Sequence, residues 1–322
     1  MKRQNSRCRR VPGLILVLCT VPISLLRGSP RQPAAWDASD HPTHAVTDEV
    51  GRSVQVPEHP SRIISLAPSI TETLYALGLG DKIAGDTDYC DFPAEAAKKP
   101  HIGSVQNPSL ERIVSLKPDL ALGSAEANRR ELIDQLARVG IPLYGVSDHS
   151  LDDVLKSIRD LGKLLDAEKQ AEMLDSSLEL RLRAVAERVK GQPKPRVLFV
   201  TWYQPLITIG PQSFVADLIR RAGAVSISDD LSGEWPRLSL EAVLARRPDV
   251  ILLPRSQSYS PSLDDFRRLA GWRDLPAVRD GRVYWVPDTI VRPSPRLVDA
   301  LEEVARVLHP AQAAGDRAGN GR

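Results

Sequence analysis

The stretch LERIVSLKPDL at residues 110–120 has a near copy, LEAVLARRPDV, at residues 240–250. Each copy places a glutamate on an amphipathic helical turn, then Pro-Asp, then an apolar strand. Glu111 and Glu241 therefore stand at matching places, 130 residues apart. A repeat spaced by nearly half the chain predicts two similar lobes, each presenting one acid at an equivalent position. Such an arrangement is typical of a two-lobed protein that a partner contacts at both ends.

The composition is that of a soluble globular protein. The chain has 322 residues, of which 42% are hydrophobic and 26% charged, and this length is enough for two domains of ordinary size. The formal net charge is only +2, which gives no basic surface for nucleic acid. We therefore expect no nucleic-acid partner, and we expect the protein to be a monomer.

The N-terminus has the layout of an export signal. Basic residues between Lys2 and Arg10 precede an uncharged stretch at residues 11–26. That stretch is shorter than the ~20 residues that a comfortable membrane-spanning helix needs. We therefore predict a signal peptide at residues 1–35 and a periplasmic, or more generally extracytoplasmic, location.

Two alternatives to a cleaved signal peptide stay open. One is an uncleaved membrane anchor, and the other is lipidation at Cys19, where LVLC at residues 16–19 faintly resembles a lipoprotein box. Beyond this leader only Cys90 remains of the three cysteines. An exported chain with one cysteine has no internal disulfide framework, so its hydrophobic cores must hold it together.

The rest of the chain alternates short apolar strands with helical segments, which predicts parallel α/β sheets. Residues 151–190 differ, because they are charged, leucine-periodic and free of proline. They predict a helix that passes from one lobe to the other, divided near Gly162 and Asp166. The predicted boundaries are a linker at residues 36–44, an N-terminal α/β lobe at 45–148, the connecting helix at 149–193, a C-terminal α/β lobe at 194–310 and a disordered tail at 311–322.

Ser69 and Glu72 suggest how the first helix begins. A serine followed three residues later by a glutamate fits a capping box, in which both side chains bond the free N–H groups of the helix start. On this interpretation Glu72 is a structural cap and not a functional acid.

Four motifs stand in order along the chain: RIISLAPSITE at residues 62–72, LERIVSLKPDL at 110–120, EWPRLSLE at 234–241 and RPSPR at 292–296. Together they resemble the substrate-binding proteins of ABC importers for cobalamin, haem and ferric siderophores, and most closely the cobalamin-binding branch. The resemblance covers residues 45–310. It implies the class III periplasmic binding protein fold, two Rossmann-like α/β lobes joined by a long rigid helix, with the ligand between the lobes.

The resemblance also implies a role for the two repeated acids. Glu111 and Glu241 would pair with arginines of a membrane permease, one from each lobe. A carboxylate–guanidinium pair is directional and often bidentate, so two separated pairs would fix the docked orientation. From the residues alone, the alternative is that both are ordinary first-turn acids favoured by the helix dipole.

Ligand contacts are expected from loops at strand ends that face the other lobe. Flat aromatic faces suit a macrocycle such as a corrin or porphyrin, and an arginine suits a ligand carboxylate, amide or phosphate. The alternatives are core positions for the aromatic residues and bonds to loop carbonyls for the arginine. Since Trp202 and Tyr203 are adjacent, at most one of them should face the cleft. The candidate ligand-binding residues are Tyr89, Trp202, Tyr203, Trp235 and Arg292.

A cobalamin-like corrinoid is the predicted ligand, and haem or a ferric siderophore is the alternative. Siderophore sites use several arginines or lysines, and Arg292 is the one such residue that the sequence places in the cleft. The resemblance further implies tryptophans near the positions of Val105 and Ser124, where this chain has smaller residues. The exact ligand therefore stays open.

Catalytic motifs are missing from the sequence. It has no Gly-x-Ser-x-Gly elbow, Walker loop or HExxH helix, and its six histidines have no metal-ligand spacing. Some metal-cluster reductases share the lobe architecture, but they use cysteines that this chain lacks. We therefore expect a binding protein and not an enzyme, with no catalytic residues, no metal site and no cofactor.

Overall fold

The computed structural model describes residues 42–124, 127–147, 149–255 and 261–310. Within these residues the chain forms two parallel four-stranded sheets, one antiparallel hairpin and ten α-helices. The strands are β1 (Thr43–Thr47), β2 (Ser53–Pro57), β3 (Ile63–Ser65), β4 (Ile83–Gly85), β5 (Leu120–Ser124), β6 (Leu143–Val146), β7 (Arg196–Phe199), β8 (Val225–Ser226), β9 (Val250–Pro254) and β10 (Val283–Val286). The helices are α1 (Pro68–Ala76), α2 (Leu110–Ser115), α3 (Arg130–Arg138), α4 (Leu151–Leu164), α5 (Glu168–Val189), α6 (Phe214–Arg221), α7 (Leu240–Arg246), α8 (Leu263–Arg268), α9 (Pro276–Arg279) and α10 (Leu297–Leu308).

The N-terminal lobe is built on a parallel sheet of strand order β4-β3-β5-β6. Every residue of β3, β5 and β6 is buried, as expected for parallel strands that helices cover on both faces. The hairpin β1–β2 closes the lobe against β6. The backbone N–H of Glu49 donates to the carbonyl of Gly145 at 3.1 Å, and the N–H of Ser147 donates to the Glu49 carboxylate at 2.9 Å.

The C-terminal lobe repeats this plan with a parallel sheet of order β10-β9-β7-β8. One face of the sheet packs on α8, α9 and the turn at Trp272–Asp274, where Phe266 and Trp272 are almost completely buried. The other face packs on α6 and α10. Both lobes are therefore three-layered, with helices on each side of a parallel sheet.

Two helices join the lobes. The N-cap of α4 is Ser150, whose hydroxyl accepts a hydrogen bond from the Asp153 N–H at 3.1 Å. A turn at Asp166, with φ of 60°, leads into the 22 residues of α5, which span about 33 Å at ~1.5 Å per residue. Gly162 lets the two helices meet, because a Cβ at that position would lie 2.4 Å from the Cβ of Ala171.

One hydrophobic cluster runs through both lobes along α4 and α5. Its members include residues from the N-terminal sheet layer, from both linking helices and from the C-terminal lobe: Leu74, Leu122, Ile158, Leu178, Phe199 and Val304. On the surface of the same junction, Arg181 of α5 donates to Glu302 of α10 at 2.9 and 2.8 Å. The linking helices are thus part of the core of each lobe.

The repeated stretches adopt the same local structure in the two lobes. The residue before each proline has a left-handed backbone, with φ of 48° at Lys117 and 47° at Arg247, and this ends the helix. The following aspartate accepts a hydrogen bond from the backbone N–H at the start of the neighbouring strand. These bonds run from Arg62 to Asp119 at 3.0 Å and from Arg196 to Asp249 at 2.8 Å. The Pro-Asp pair therefore fixes the register of two neighbouring strands.

The predicted fold class is confirmed: the chain has two Rossmann-like α/β lobes joined by a long helix. The predicted linker is wrong at its end, because β1 begins at Thr43 and residues 43–44 belong to the hairpin. Strand β8 and helix α9 have no counterpart in the prediction, because each is too short to show a period. The predicted signal peptide at 1–35, the linker residues 36–41 and the predicted tail at 311–322 lie outside the described residues.

The predicted capping box is also wrong. Helix α1 begins at Pro68, and its N-cap residue Ala67 makes no side-chain cap hydrogen bond. Proline suits the first helical position because its φ is already helical, so the helix starts one residue before Ser69. Ser69 lies inside the helix, and Glu72 makes contacts of another kind.

Candidate functional site

Side chains from opposite lobes meet where the strands of both sheets end. Glu72 lies in α1, after β3, and Asp91 lies in the loop after β4. Arg292 ends the 3₁₀ turn Asp288–Val291 that follows β10. All strands of a parallel sheet end at one edge, so the loops after β7 and β10 lie on the side of their sheet that faces the loop after β4. This edge is where open α/β sheets bind ligands.

Arg292 is the centre of these contacts. It donates to Glu72 at 3.1 Å and to Asp91 at 2.6 and 3.3 Å, and it lies 3.5 Å from Asp288. The hydrogen bonds from Arg292 lower the pKa of Asp91, and the same bonds, with the one to Glu72, raise the pKa of Arg292. Arg292 and Asp91 are therefore both ionised at neutral pH. Arg292 thus forms ion pairs across the lobes, in place of the bonds to loop carbonyls that the sequence left as an alternative.

Glu72 is held by the C-terminal lobe although it belongs to the N-terminal one. Its side chain is only 2% exposed. The Ser294 hydroxyl donates to it at 2.6 Å, and Arg296 donates to it at 3.4 Å, in addition to Arg292. A buried carboxylate needs such donors, because removing it from water costs several kcal/mol when it is unpaired. Glu72 is thus a structural acid of the lobe interface and not a helix cap.

The loop after β4 brings two aromatic side chains to this edge. Tyr89 is 59% exposed and Phe92 is 44% exposed. The guanidinium of Arg296 lies 3.7 Å from the centroid of the Phe92 ring, a cation–π contact that also crosses between the lobes. Tyr89 remains open to a ligand on the same loop.

A pair formed by the buried Asp86 and the partly exposed His101 closes the base of this loop. The carboxylate of Asp86 lies 2.8 Å from Nδ1 of His101, and the Ile102 N–H donates to the Asp86 carbonyl at 2.8 Å. Burial raises the pKa of Asp86 to about 6. Cys90 is buried on the inner side, where its sulfur lies 3.2 Å from the hydroxyls of Thr71 and Thr87, and burial raises the pKa of its thiol. The loop is therefore anchored at both ends and presents Tyr89 outward.

The C-terminal lobe contributes two tryptophans on joined segments. Trp202, after β7, is 56% exposed and exchanges backbone hydrogen bonds with Ile207. Ile207 is bridged in turn to Arg237, two residues after Trp235, which is 37% exposed. The ring of Trp235 makes a T-shaped contact with Phe214, with 6.1 Å between ring centroids and 74° between ring planes. The structure thus brings Trp202 and Trp235 onto one small platform beyond the end of β7.

Tyr203 has a different place from its neighbour Trp202. Its ring packs on Phe266 and Trp272, with centroid separations of 5.7 Å in each case. These two rings belong to the core of the C-terminal lobe. Of the adjacent pair, Trp202 is therefore the exposed residue, and Tyr203 supports the loop from beneath.

Glu111 and Glu241 occupy the same helical position in the two lobes. Each is the second residue of a short helix whose N-cap is a serine, Ser109 in α2 and Ser239 in α7. Both glutamates are exposed. Hydrogen bonds from its own backbone N–H and from Ser239 lower the pKa of Glu241. Two equivalent acids are therefore presented to solvent, one on each lobe.

The described residues give no metal site and no membrane span. No three histidine, cysteine, aspartate or glutamate side chains of this part of the chain lie close enough together to hold a metal ion. None of the helices at residues 42–310 that the structure describes is long and apolar enough to cross a bilayer.

Sequence reasoning missed five residues of the lobe contact: Glu72, Asp91, Phe92, Ser294 and Arg296. A signal for two of them is present, since RPSPR at residues 292–296 is one of the four motifs that carry the family resemblance. The residues that this motif contacts, Glu72, Asp91 and Phe92, lie 201 to 224 positions away in sequence, so no local pattern could identify them.

Comparisons with known proteins agree with this architecture. The sequence profile of a periplasmic binding protein family matches residues 63–289. An uncharacterised ABC transporter substrate-binding lipoprotein of Bacillus subtilis is 32% identical over 273 residues, which cover 82% of this chain and 85% of that protein. A vitamin B12-binding protein of Yersinia pestis is 31% identical over 248 residues, which cover 77% of this chain and 86% of that protein.

Two solved structures are similar over most of the chain. The periplasmic vitamin B12 binding protein of Vibrio cholerae has a TM-score of 0.70 and 28% identity, covering 79% of this chain and 98% of that one. The apo form of the periplasmic haem-binding protein of Roseiflexus sp. RS-1 has a TM-score of 0.71 and 30% identity, covering 78% and 98%. These relatives are binding proteins, and the prediction that the chain is not an enzyme is confirmed.

Proposed function

We propose that this chain, which belongs to the periplasmic binding protein family, is the extracytoplasmic substrate-binding component of an ABC importer. It would capture a cobalamin-like corrinoid between its lobes and deliver it to a membrane permease. The Bacillus subtilis relative, a substrate-binding lipoprotein of an ABC transporter, supports the class of function. The Yersinia pestis and Vibrio cholerae relatives support the ligand.

The distribution of exposed aromatic side chains is the observation that carries this proposal. Among the residues that the structure describes, four tyrosine, phenylalanine or tryptophan residues are exposed: Tyr89, Phe92, Trp202 and Trp235. All four lie in loops on the edge where the strands of the two sheets end. Each such side chain can bury roughly 150–250 Å² against a flat ligand. A concentration of exposed aromatic rings on one edge is typical of a surface that binds a ligand or a partner.

Haem is the second candidate, because a haem-binding structure is as similar to the chain as the vitamin B12-binding one. Haem carries two carboxylates, which need cations, whereas cobalamin carries mostly amide side chains. Arg292, the cation predicted to meet a ligand anion, already has Glu72 and Asp91 as partners. This charge balance favours the corrinoid.

A binding titration tests the ligand. We expect the purified protein to bind cyanocobalamin, seen by calorimetry and by quenching of tryptophan fluorescence, and to bind haem or a ferric siderophore more weakly. Trp235→Ala should weaken cyanocobalamin binding by about 1 kcal/mol or more if the ring contacts the ligand. Leu180→Ala is the matched control, since Leu180 is exposed on α5, away from the strand-end loops.

The outcome separates the candidates. Tight binding of haem or of a ferric chelate without binding of a corrinoid would replace the proposed ligand. If the wild type binds corrinoid and Trp235→Ala binds it with unchanged affinity, Trp235 supports its loop and does not contact the ligand.

Export and docking complete the proposal. Residues 1–35 would act as a signal peptide, with lipidation or an uncleaved anchor as the alternatives; the mass of the N-terminal peptide of the exported protein distinguishes the three. Glu111 and Glu241 would meet the permease, since they are exposed at equivalent positions of both lobes. Ligand-binding residues would be Tyr89, Trp202, Trp235 and Arg292, with Tyr203 in a supporting position.

A further inference from the structure

The charges around Arg292 are unequal. Two guanidinium groups, of Arg292 and Arg296, meet three carboxylates, of Glu72, Asp91 and Asp288. The group therefore carries a net charge of about −1 when all five are ionised. An arginine in such surroundings is a poor partner for an incoming anion, although an isolated arginine at a strand end would attract one.

The two carboxylates that bond Arg292 differ in accessibility. Glu72 is 2% exposed and is held by three donors from the other lobe, so it is fixed. Asp91 is 67% exposed and stands two residues after Tyr89 on the loop that faces the ligand. Both terminal nitrogens of Arg292 donate to Asp91, one to each carboxylate oxygen. Asp91 therefore occupies the fork of the guanidinium that a ligand carboxylate would need.

We propose that Asp91 is a specificity-determining residue: it occupies Arg292 and so excludes ligand carboxylates from this end of the cleft, in favour of a neutral ligand that carries amide groups. A carboxylate could bind Arg292 only by displacing Asp91, and both anions would then lie beside one guanidinium. An amide N–H could instead donate to the exposed lone pairs of Asp91 without breaking the ion pair. The inference deepens the proposed function and rests on it for the nature of the ligand.

A pair of matched ligands tests the role of Asp91. Cyanocobalamin and its monocarboxylate derivatives, in which one side-chain amide is hydrolysed to the acid, differ by a single charge. The comparison uses the monocarboxylate isomer that responds most to the substitution. For this isomer, Asp91→Asn should raise the affinity for the carboxylate, relative to the affinity for cyanocobalamin, by about fivefold. This is the upper end of the effect of a partly exposed ion pair. The wild type should prefer the amide.

Asp88→Asn is the control, because Asp88 is an exposed acid on the same loop and the described residues give it no ion pair with Arg292. It removes the same charge three residues away. A ratio that shifts in Asp91→Asn and not in Asp88→Asn supports the proposal. Equal shifts in both would show only a general effect of charge, and no shift in either would show that Asp91 does not select; both results overturn it.

The test also separates this inference from the proposed function. If the wild type binds haem and no corrinoid, the proposed ligand is wrong, and haem with its dimethyl ester becomes the matched pair. A preference for the carboxylate form in wild-type protein then overturns the role of Asp91, and a shift toward haem in Asp91→Asn alone supports it. If neither pair binds, both proposals fail. Thermal melts of each variant show that the compared proteins are folded.

Discussion

The carboxylate of Glu72 is buried in the N-terminal lobe and is held by Arg292 and Ser294 of the C-terminal lobe. Its spacing from Ser69 predicted a helix cap, yet Pro68 starts the helix one residue earlier and Glu72 faces the other lobe. The residue type and its helix were predictable, because both depend on neighbours in the chain. Its partners were not, since the ion pair with Arg292 joins residues 220 positions apart. The same holds for Asp91, which no pattern distinguished from Asp88.

Replacing Glu72 should cost far more stability than replacing an exposed acid. In Glu72→Ala the lobe contact loses a buried carboxylate and leaves Ser294 and Arg296 without their acceptor. We expect the free energy of unfolding in urea to fall by about 3 kcal/mol. Glu111→Ala, which removes an exposed first-turn acid, should cost less than about 1 kcal/mol. Equal losses in the two variants would contradict the interfacial role of Glu72.

At the scale of elements, most of the fold was predictable. The alternation of short strands with helices, and with it the parallel sheets, was predictable, because apolar patterns and turn residues are local signals. The division of the linking segment near Gly162 and Asp166 was also correct. The docking of the hairpin β1–β2 was not predictable, because it depends on a few polar contacts with β6 and α4.

The acid of that hairpin makes the docking sensitive to pH. One carboxylate oxygen of Glu49 accepts bonds from the Ser157 hydroxyl at 2.6 Å and the Ser147 N–H at 2.9 Å, while the other is buried without a partner. Burial raises the pKa of Glu49 from 4.5 to about 7. The folded protein thus holds this proton more tightly than the unfolded chain. Its stabilising contribution is complete below pH 4.5 and is lost as the pH rises through 7.

Glu49→Gln should therefore remove a pH dependence. At pH 8 we expect the variant to be more stable than the wild type by roughly 1–3 kcal/mol, and at about pH 4.5 the two should be similar. Urea titrations at both pH values measure the difference. Glu58→Gln, an exposed acid just after β2, should show no such divergence. A wild type that becomes more stable relative to Glu49→Gln as the pH rises from about 4.5 to 8 would refute the raised pKa of Glu49.

For the whole molecule, the repeat in the sequence predicted two lobes and a pair of equivalent acids, and the fold has both. What the sequence could not supply is how the lobes are held, because that depends on contacts of α4, α5 and the Arg292 cluster between distant parts of the chain. The spacing of Glu111 and Glu241 follows from those contacts, since each glutamate belongs to a helix of a different lobe.

A transport assay tests the role of the two glutamates. We expect Glu111→Ala with Glu241→Ala to reduce ligand uptake at least tenfold in cells that contain the partner permease, while calorimetry shows unchanged ligand affinity. Glu131→Ala with Asp264→Ala is the matched control, because these exposed acids are also second residues of a helix, α3 and α8, one in each lobe. A loss of ligand affinity in the first pair, or an equal loss of uptake in the control, would exclude docking by Glu111 and Glu241.

The hydrophobic cluster that runs along α4 and α5 has a consequence for how the protein loses its structure. Leu122 of one sheet and Phe199 of the other belong to this same cluster, together with Ile158 of α4 and Leu178 of α5. Neither lobe can expose its share without opening the surface on which the other depends. The two lobes should therefore unfold as one cooperative unit, in a single transition with no stable half-folded species, although the chain is long enough to form two independent domains.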